Sequence, residues 1–353
     1  MKKLFIITGE YSGDKHGADA VREIKKLNPD IEIEAVGGEN LRKAGAKIYC
    51  THEQMSAMGF NLNIIMKHIQ LGEKIAKHLR DEFKYGMKIY YYIPPQVWAS
   101  RKWRLNTIKQ NIKKVITIFP FEMEMYKEMG IPAVYAGHPL SAEMPEKPDR
   151  DTVFEQNGFN KNARLVSIFP GSRPFEIKQL LNLFLKSAEI IKGKNPDIQF
   201  ALAQAPNIKD EMILPVLKKY SGLNIKVLKN KNYDLMAASD ALILASGTAA
   251  LEAALYQTPM IISYKGPWFL YFVYLTVRSI KRVCLPNIIM NKDIVPELLQ
   301  LQAKPKIIAE NINKILNDAE YRSKMIKDLE SVKQKLQISA AAKKTAEVIV
   351  NDI

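Results

Sequence analysis

The densest chemistry in this chain lies between Ser239 and Lys265, in SDALILASGTAALEAALYQTPMIISYK. Three small residues, Ser246, Gly247 and Thr248, separate an apolar run, Ala241 to Ala245, from AALEAALY, a strong helix former. Small residues at such a turn let a ligand approach the backbone. Thr248 or Ser246 can cap the helix, which leaves its first N–H groups facing an anion. Glu252 sits one turn inside that helix. A carboxylate there does not suit a phosphate; it suits the vicinal hydroxyls of a sugar. An ordinary capped αβ unit would also carry this pattern, so the stretch needs support from elsewhere.

Support comes from Pro170-Gly171-Ser172-Arg173, which follows the apolar run Leu165 to Phe169 and precedes a helix predicted over Phe175 to Lys192. It is a second tight glycine turn into a helix, and Arg173 can fork onto phosphate oxygens. A third turn, Gly9 to Gly17, follows a first strand at residues 3–8 and lacks the dinucleotide spacing GxGxxG. Its acids, Glu10 and Asp14, are placed either to take a proton from a hydroxyl or simply to cap a helix.

The elements that must position these turns follow from periodicity. Strands are predicted at 3–8, 31–36, 88–93 and 115–119 in the first half, and at 165–169, 198–203, 224–228, 241–245 and 259–264 in the second. A long helical stretch covers Asn61 to Tyr85. From Leu140 to Arg164 the chain turns polar. Strands alternating with helices require parallel sheets, and the reading is α/β with two Rossmann-like domains facing a cleft. The predicted bounds are an acceptor domain at 1–140, a linker at 141–164 and a nucleotide-binding domain at 165–335. A terminal helix at 336–353 would pack back on the first domain.

Composition limits the alternatives. Hydrophobic residues make up 47% and charged residues 25%, as in globular proteins. Two distant cysteines, Cys50 and Cys284, provide neither a metal spacing nor a disulfide framework, so a reducing, cytoplasmic compartment is expected. No apolar run approaches the roughly 20 residues of a membrane span. The net charge of +15 fits an anionic partner: nucleic acid, a membrane face or a phosphorylated substrate.

Taken together, the motifs resemble one family, the lipid-A-disaccharide synthases. The matching residues are GEYSGDKHGA (9–18), VGGENLRKAG (36–45), SAMGF (56–60) and PPQVWASRKWR (94–104) in the first half. In the second they are FPGSR (169–173), ASGTAALEAAL (245–255), PMIISYK (259–265) and LPNIIMNKDIVPELLQ (285–300). The resemblance implies the GT-B glycosyltransferase architecture. It implies inverting transfer of diacylglucosamine from UDP-diacylglucosamine to the 6-hydroxyl of diacylglucosamine 1-phosphate (lipid X), with UDP released and no cofactor or metal. It also allows a homodimer. On those matches Gly171, Ser172, Arg173, Ser246, Gly247 and Thr248 would face the diphosphate and Glu252 the ribose. Asn287 and Gln300 would lie near the nucleotide sugar, and Glu10 and Asp14 beside the acceptor, with Arg173 stabilising leaving-group charge. One departure stands out. The family's Ile-Asp-x-Pro-Asp-Phe-Asn stretch, whose first aspartate is a leading candidate for general base, is absent. That leaves Glu10 or Asp14 for the role, or an impaired enzyme, and removes a strand from the first sheet.

The last stretch is PWFLYFVYLTVRSIKRV, residues 267–283. Trp268, Phe269 and Phe272 with Arg278, Lys281 and Arg282 suit docking on an anionic inner-membrane surface, which would make the protein peripheral. A buried core helix is the competing reading. The basic stretch from Arg101 to Lys114 next to Trp98 and Trp103 raises nucleic acid as a partner. It carries no recognised motif, and its residues already belong to the family match, so no nucleic acid is expected. Another UDP-sugar enzyme of the same architecture and a non-catalytic relative are the remaining alternatives.

Overall fold

The computed structural model describes the chain except residues 1, 9–10, 52–61, 84–87, 95–103, 267–281 and 337–339, and the side chains of 62–69 and 71. These residues form two compact units. One holds the chain up to Ala142 and takes back its carboxyl terminus; the other runs from Glu143 to Leu336.

The first unit opens with β1 (Lys3–Ile7), α1 (Tyr11–Leu27), β2 (Glu32–Gly37), α2 (Glu39–Lys43) and β3 (Lys47–Thr51). The strands pair in parallel in that order. β3 was not expected from the sequence. It is a half-exposed edge strand, so its alternation is too weak to stand out. After α3 (Leu62–Phe83) come β4 (Tyr90–Tyr92), α4 (Arg104–Asn111), β5 (Lys114–Thr117), α5 (Pro120–Glu128), β6 (Ala133–Tyr135) and α6 (Leu140–Glu143). β4, β5 and β6 form a second three-stranded parallel sheet. Among the described residues no strand joins the two sheets. They share one core, in which Val21 and Ile24 of α1 and Ile33 and Ala35 of β2 meet Ile116 and Ala136. On the other side of β1–β3, α3 brings Ile75 and Leu79 against Phe5, Val36 and Cys50. His78 of α3 stacks on Tyr49 at 4.1 Å and meets the Glu34 carboxylate at 2.7 Å. Burial alone would raise the Glu34 pKa, but hydrogen bonds from His78 and Lys47 outweigh it and the carboxyl lies low.

The second unit contains α7 (Arg150–Asn157), β7 (Leu165–Phe169), α8 (Pro174–Lys194), β8 (Gln199–Gln204), α9 (Asp210–Leu217), β9 (Lys226–Lys229), α10 (Asn232–Ala238), β10 (Ala241–Ala245), α11 (Ala249–Leu255) and β11 (Met260–Tyr264). It ends with α12 (Leu285–Met290), β12 (Glu297–Leu299), α13 (Pro305–Asn317) and α14 (Ala319–Leu336). Six parallel strands run in the order β12-β11-β10-β7-β8-β9. LVSIF and ALILA are buried throughout, as strands covered on both faces must be. The one polar residue in β7, Ser167, accepts a hydrogen bond from the Ser239 hydroxyl at 2.6 Å. The polar stretch read as a linker is part of this unit from Glu143 onward. Asp149 caps α7 by accepting from the Thr152 N–H, and Arg150 reaches Asp240 at 2.9 Å and the Ala238 carbonyl at 2.7 Å. The Arg150 bonds are tertiary, and periodicity cannot register them.

The chain then returns as α15 (Ala341–Val350), which packs on α1 and places Ala346 and Ile349 in the first unit's core. Beyond it, Asp352 gathers Lys113, Tyr90 and Lys88. Lys113 first, then the Tyr90 hydroxyl, hold its carboxyl well below the usual carboxylate range. A depressed acid stabilises the fold above its unfolded pKa of about 4, and that contribution fades only as pH falls through the lower folded value. Asp352→Ala should therefore speed amide exchange across residues 341–350 at neutral pH. The difference between variant and parent should shrink under strongly acidic conditions.

Candidate active site

In a parallel sheet, ligands collect at the carboxyl ends of the strands, at the point where strand order reverses. In the second unit that point lies between β7 and β10. The two strands are paired in register, Leu244 opposite Phe169, so the Pro170–Arg173 and Ser246–Thr248 turns leave the sheet side by side. Two turns 75 residues apart in sequence thus share one edge because the topology makes their strands neighbours.

The Pro170–Arg173 turn is closed by its own chain. The Glu176 carboxylate accepts the backbone N–H of Ser172 at 2.9 Å and of Arg173 at 3.1 Å. Asn207 donates to the Ser172 carbonyl at 2.6 Å. Gly171 has φ +113°, and a Cβ there would lie 2.3 Å from Glu176 Oε2. The family resemblance has Ser172 and Arg173 facing the diphosphate; the backbone amides of both are taken by Glu176. What the turn presents outward is the Arg173 side chain, 80% exposed, with Nη1 3.5 Å from Glu176 Oε1.

At the neighbouring turn Gly247 and Thr248 are exposed and Ser246 half-buried. Glu252 lies behind them on α11. Burial pushes its carboxyl above the ordinary value, and a hydrogen bond from the Tyr233 hydroxyl at 3.4 Å only partly counters this. Tyr233, pushed up to about 12 chiefly by burial, is itself in edge contact with Tyr256, ring centroids 6.0 Å apart. A carboxylate so placed and so thinly satisfied is a good acceptor for hydroxyl donors. Sequence reasoning missed Tyr233; its only signal was a place on the short helix leading into β10.

Asn287 and Gln300 have a different job from the one expected. Asn287 is 1% exposed. Its amide N–H groups go to the Val295 carbonyl at 2.9 Å and Glu297 at 2.7 Å, and its oxygen accepts from Ile294 and Val295 at 2.8 and 3.0 Å. All four positions are used, so Asn287 has none left for a ligand. Glu297 also accepts the N–H groups of Val283 and Cys284. Gln300, in the left-handed region at φ +46°, bonds both the N–H and the carbonyl of Gly266, at 3.1 and 3.0 Å. These residues therefore pin the chain immediately before and after residues 267–281. Trp268, Phe269, Phe272, Arg278 and Lys281 lie outside the described residues. Arg282 is turned to Asp293 at 2.6 Å and Asn291 at 2.9 Å, so its charge is paired within the fold and not presented to a membrane.

In the first unit Glu10 lies outside the described residues. Asp14 is fully buried, and its carboxylate accepts the N–H groups of Gly38, Asn40 and Leu41 and the Asn40 side chain. Burial works to raise its pKa, but these donors prevail and lower it. Gly37 leaves room for this, since a Cβ there would lie 3.0 Å from Asp14 Oδ1. A buried carboxylate with a lowered pKa and a full set of donors holds the β2–α2 turn; it is a poor proton acceptor.

Solved structures with this architecture include a sugar-nucleotide epimerase and a glycosyltransferase. The chain superposes on UDP-GlcNAc 2-epimerase from Neisseria meningitidis bound to UDP-GlcNAc with a TM-score of 0.63 at 13% identity, covering 99% of this chain and 100% of that one. It superposes on WaaG, a glycosyltransferase involved in lipopolysaccharide biosynthesis, with a TM-score of 0.57 at 12% identity, covering 98% of each. The fold class is that of the two-domain UDP-sugar glycosyltransferases and epimerases. The chain belongs to the lipid-A-disaccharide synthase family. The family profile, lipid-A-disaccharide synthetase, matches residues 4–83 and 61–351. The synthases of Nitrosococcus oceani and Geobacter sulfurreducens are each 33% identical to it, over 95% and 99% of this chain and 92% and 96% of their own length. The chain is thus a glycosyltransferase of lipid A biosynthesis.

The raised Glu252 pKa has a measurable consequence. Protonation removes its ability to accept from hydroxyls, so with the ribose on Glu252 affinity for UDP should begin to fall, as pH drops, before an ordinary glutamate would take up its proton. Titration of UDP by calorimetry should show this slope in the parent and not in Glu252→Gln, which binds weakly throughout.

Proposed function

We propose that this chain joins two acylated sugars, moving diacylglucosamine from its UDP carrier to the 6-hydroxyl of diacylglucosamine 1-phosphate with inversion and release of UDP. The family membership carries the reaction; the adjacent β7 and β10 turns carry the assignment of its donor half to the second unit. In this reading the diphosphate lies over Gly247 and Thr248, Glu252 accepts the ribose hydroxyls, and the Arg173 guanidinium meets charge developing on the departing UDP. With Asp14 committed to the β2–α2 turn, Glu10 is the acid of the glycine-rich turn left to take the acceptor's proton. The profile's two matches overlap over 61–83, the residues of α3, so one helix answers to two parts of the family pattern. We read α3 as spanning the place where the family carries the aspartate-bearing strand. That reading agrees with β1 and β4 standing unjoined at the edges of separate sheets.

Purified protein supplied with UDP-diacylglucosamine and lipid X should release UDP only when both are present. Arg173→Ala should lower turnover by about 100-fold, the scale of losing one charge-stabilising group. Glu10→Gln should lower kcat with little change in donor KM. Near-parental turnover in either variant would remove that residue from the mechanism.

The acylated substrates also favour a lipid surface for residues 267–281, whose flanks are fixed by Gln300 and by the Asn287–Glu297 pair. Among the described residues no helix is long and apolar enough to cross a membrane, so attachment would be peripheral. The protein should co-sediment with phosphatidylglycerol vesicles at low salt and leave them as salt rises. Arg278→Glu with Lys281→Glu should abolish binding. Failure of the parent to bind such vesicles would sink the docking reading.

A further inference from the structure

Glu176 is the group at the donor edge that the reaction as assigned does not use. It is buried in the first turn of α8, its carboxylate folded back on the turn that carries Arg173. Three observations set its role. Its Oε2 takes two backbone N–H groups that would otherwise greet an anion. Its Oε1 lies 3.5 Å from the guanidinium, which is 80% exposed while Glu176 is 8% exposed. Gly171 is shaped around it, since an added Cβ would fall 2.6 Å from the Glu176 Cβ.

We infer that Glu176 is a built-in anion that positions Arg173. It occupies the amide cradle of the FPGSR turn, so ligand phosphate at this edge is met by the Arg173 guanidinium and not by the turn's amides. A tethered carboxylate at a helix N-terminus is already paid for in entropy, and a free phosphate would have to displace it from donors it never leaves. The carboxylate also restrains an exposed arginine at the sheet edge it shares with the Ser246–Thr248 turn, shortening the search for the charge it must meet. The glycine in this motif therefore serves the protein's own acid. The inference rests on the diphosphate lying at this edge.

A double-mutant cycle tests it. Glu176→Gln keeps an oxygen for the two N–H groups but removes the charge beside Arg173. Alone it should weaken UDP binding and lower kcat/KM for the donor by about tenfold; in an Arg173→Ala background it should change either by no more than about twofold. UDP affinity is read by calorimetric titration, where loss of folded protein lowers the stoichiometry and leaves the dissociation constant unmoved. Equal losses in both backgrounds would mean that Glu176 merely caps the helix, and would overturn the inference. Tighter UDP binding by Glu176→Gln would overturn it too, since the carboxylate would then be a competitor. The titration needs no turnover, so an enzyme that binds UDP but transfers no sugar would refute the proposed reaction while still deciding the role of Glu176. A parent that binds no UDP would overturn both.

Discussion

The pairing of β7 with β10 is the constraint on which the donor site depends. Both strands are buried throughout and covered on both faces, so their register is fixed by burial and cannot slip without moving core side chains into the wrong layer. That register delivers two turns, remote in sequence, to one edge of the sheet. Their chemistry differs as their surroundings do. The β7 turn is closed by Glu176 and sends out a single cation. The β10 turn is open at Gly247 and Thr248 and backed by a half-satisfied carboxylate. One edge thus offers a charge for phosphate and an acceptor for hydroxyls, the two features that a nucleotide sugar combines.

A common physical device recurs through a chain of net charge +15: several of its acids are used as internal anions for backbone N–H groups. Asp14 closes the β2–α2 turn, Glu176 the β7–α8 turn, Asp240 the start of β7, and Glu297 the chain after residue 282. Each carboxylate is satisfied by donors that exist only in the folded state, so each ties a functional loop to a sheet. Glu252 is the contrast. Among the described residues its carboxylate is met by one tyrosine hydroxyl at the long end of hydrogen-bond distance, and burial raises its pKa. Among these acids it is the one whose desolvation a ligand would relieve.

The sequence made the strands legible wherever burial was two-sided, because apolar runs such as ALILA and LVSIF have few other uses. It made Arg173 and Glu252 legible through turn chemistry next to those runs. It misled where a polar residue was taken as facing a ligand. Asn287, Gln300 and Asp14 occupy family motifs, yet their side chains bond backbone groups brought near by tertiary structure, and no local spacing encodes those partners. Arg282 was misread for the same reason, its partners being Asp293 and Asn291. Tyr233 and Glu176 went unnoticed because each acts on a neighbour: a tyrosine on a short helix and a glutamate in a helix's first turn are ordinary until the side chain they touch is known.

The first unit holds together although, among the described residues, no strand joins its two sheets. β1 is only half-buried, with Ile7 53% exposed, where the central strand of an uninterrupted sheet would be covered. Apolar burial and polar clasps from α3 and from the carboxyl-terminal helix hold the two sheets. α3 lies over β1–β3 through Ile75 and Leu79 and is locked there by His78 on Glu34. α15 covers α1, and Asp352 ties it to β4 and to the start of β5 through Tyr90 and Lys113. The terminal helix thus bridges the two small sheets at the level of the core they share, with Ala346 and Ile349 packed among residues of both. Its contribution is larger here than in a unit with a continuous sheet, because in the described residues no backbone ladder joins β1 to β4 and side-chain packing must carry that connection alone.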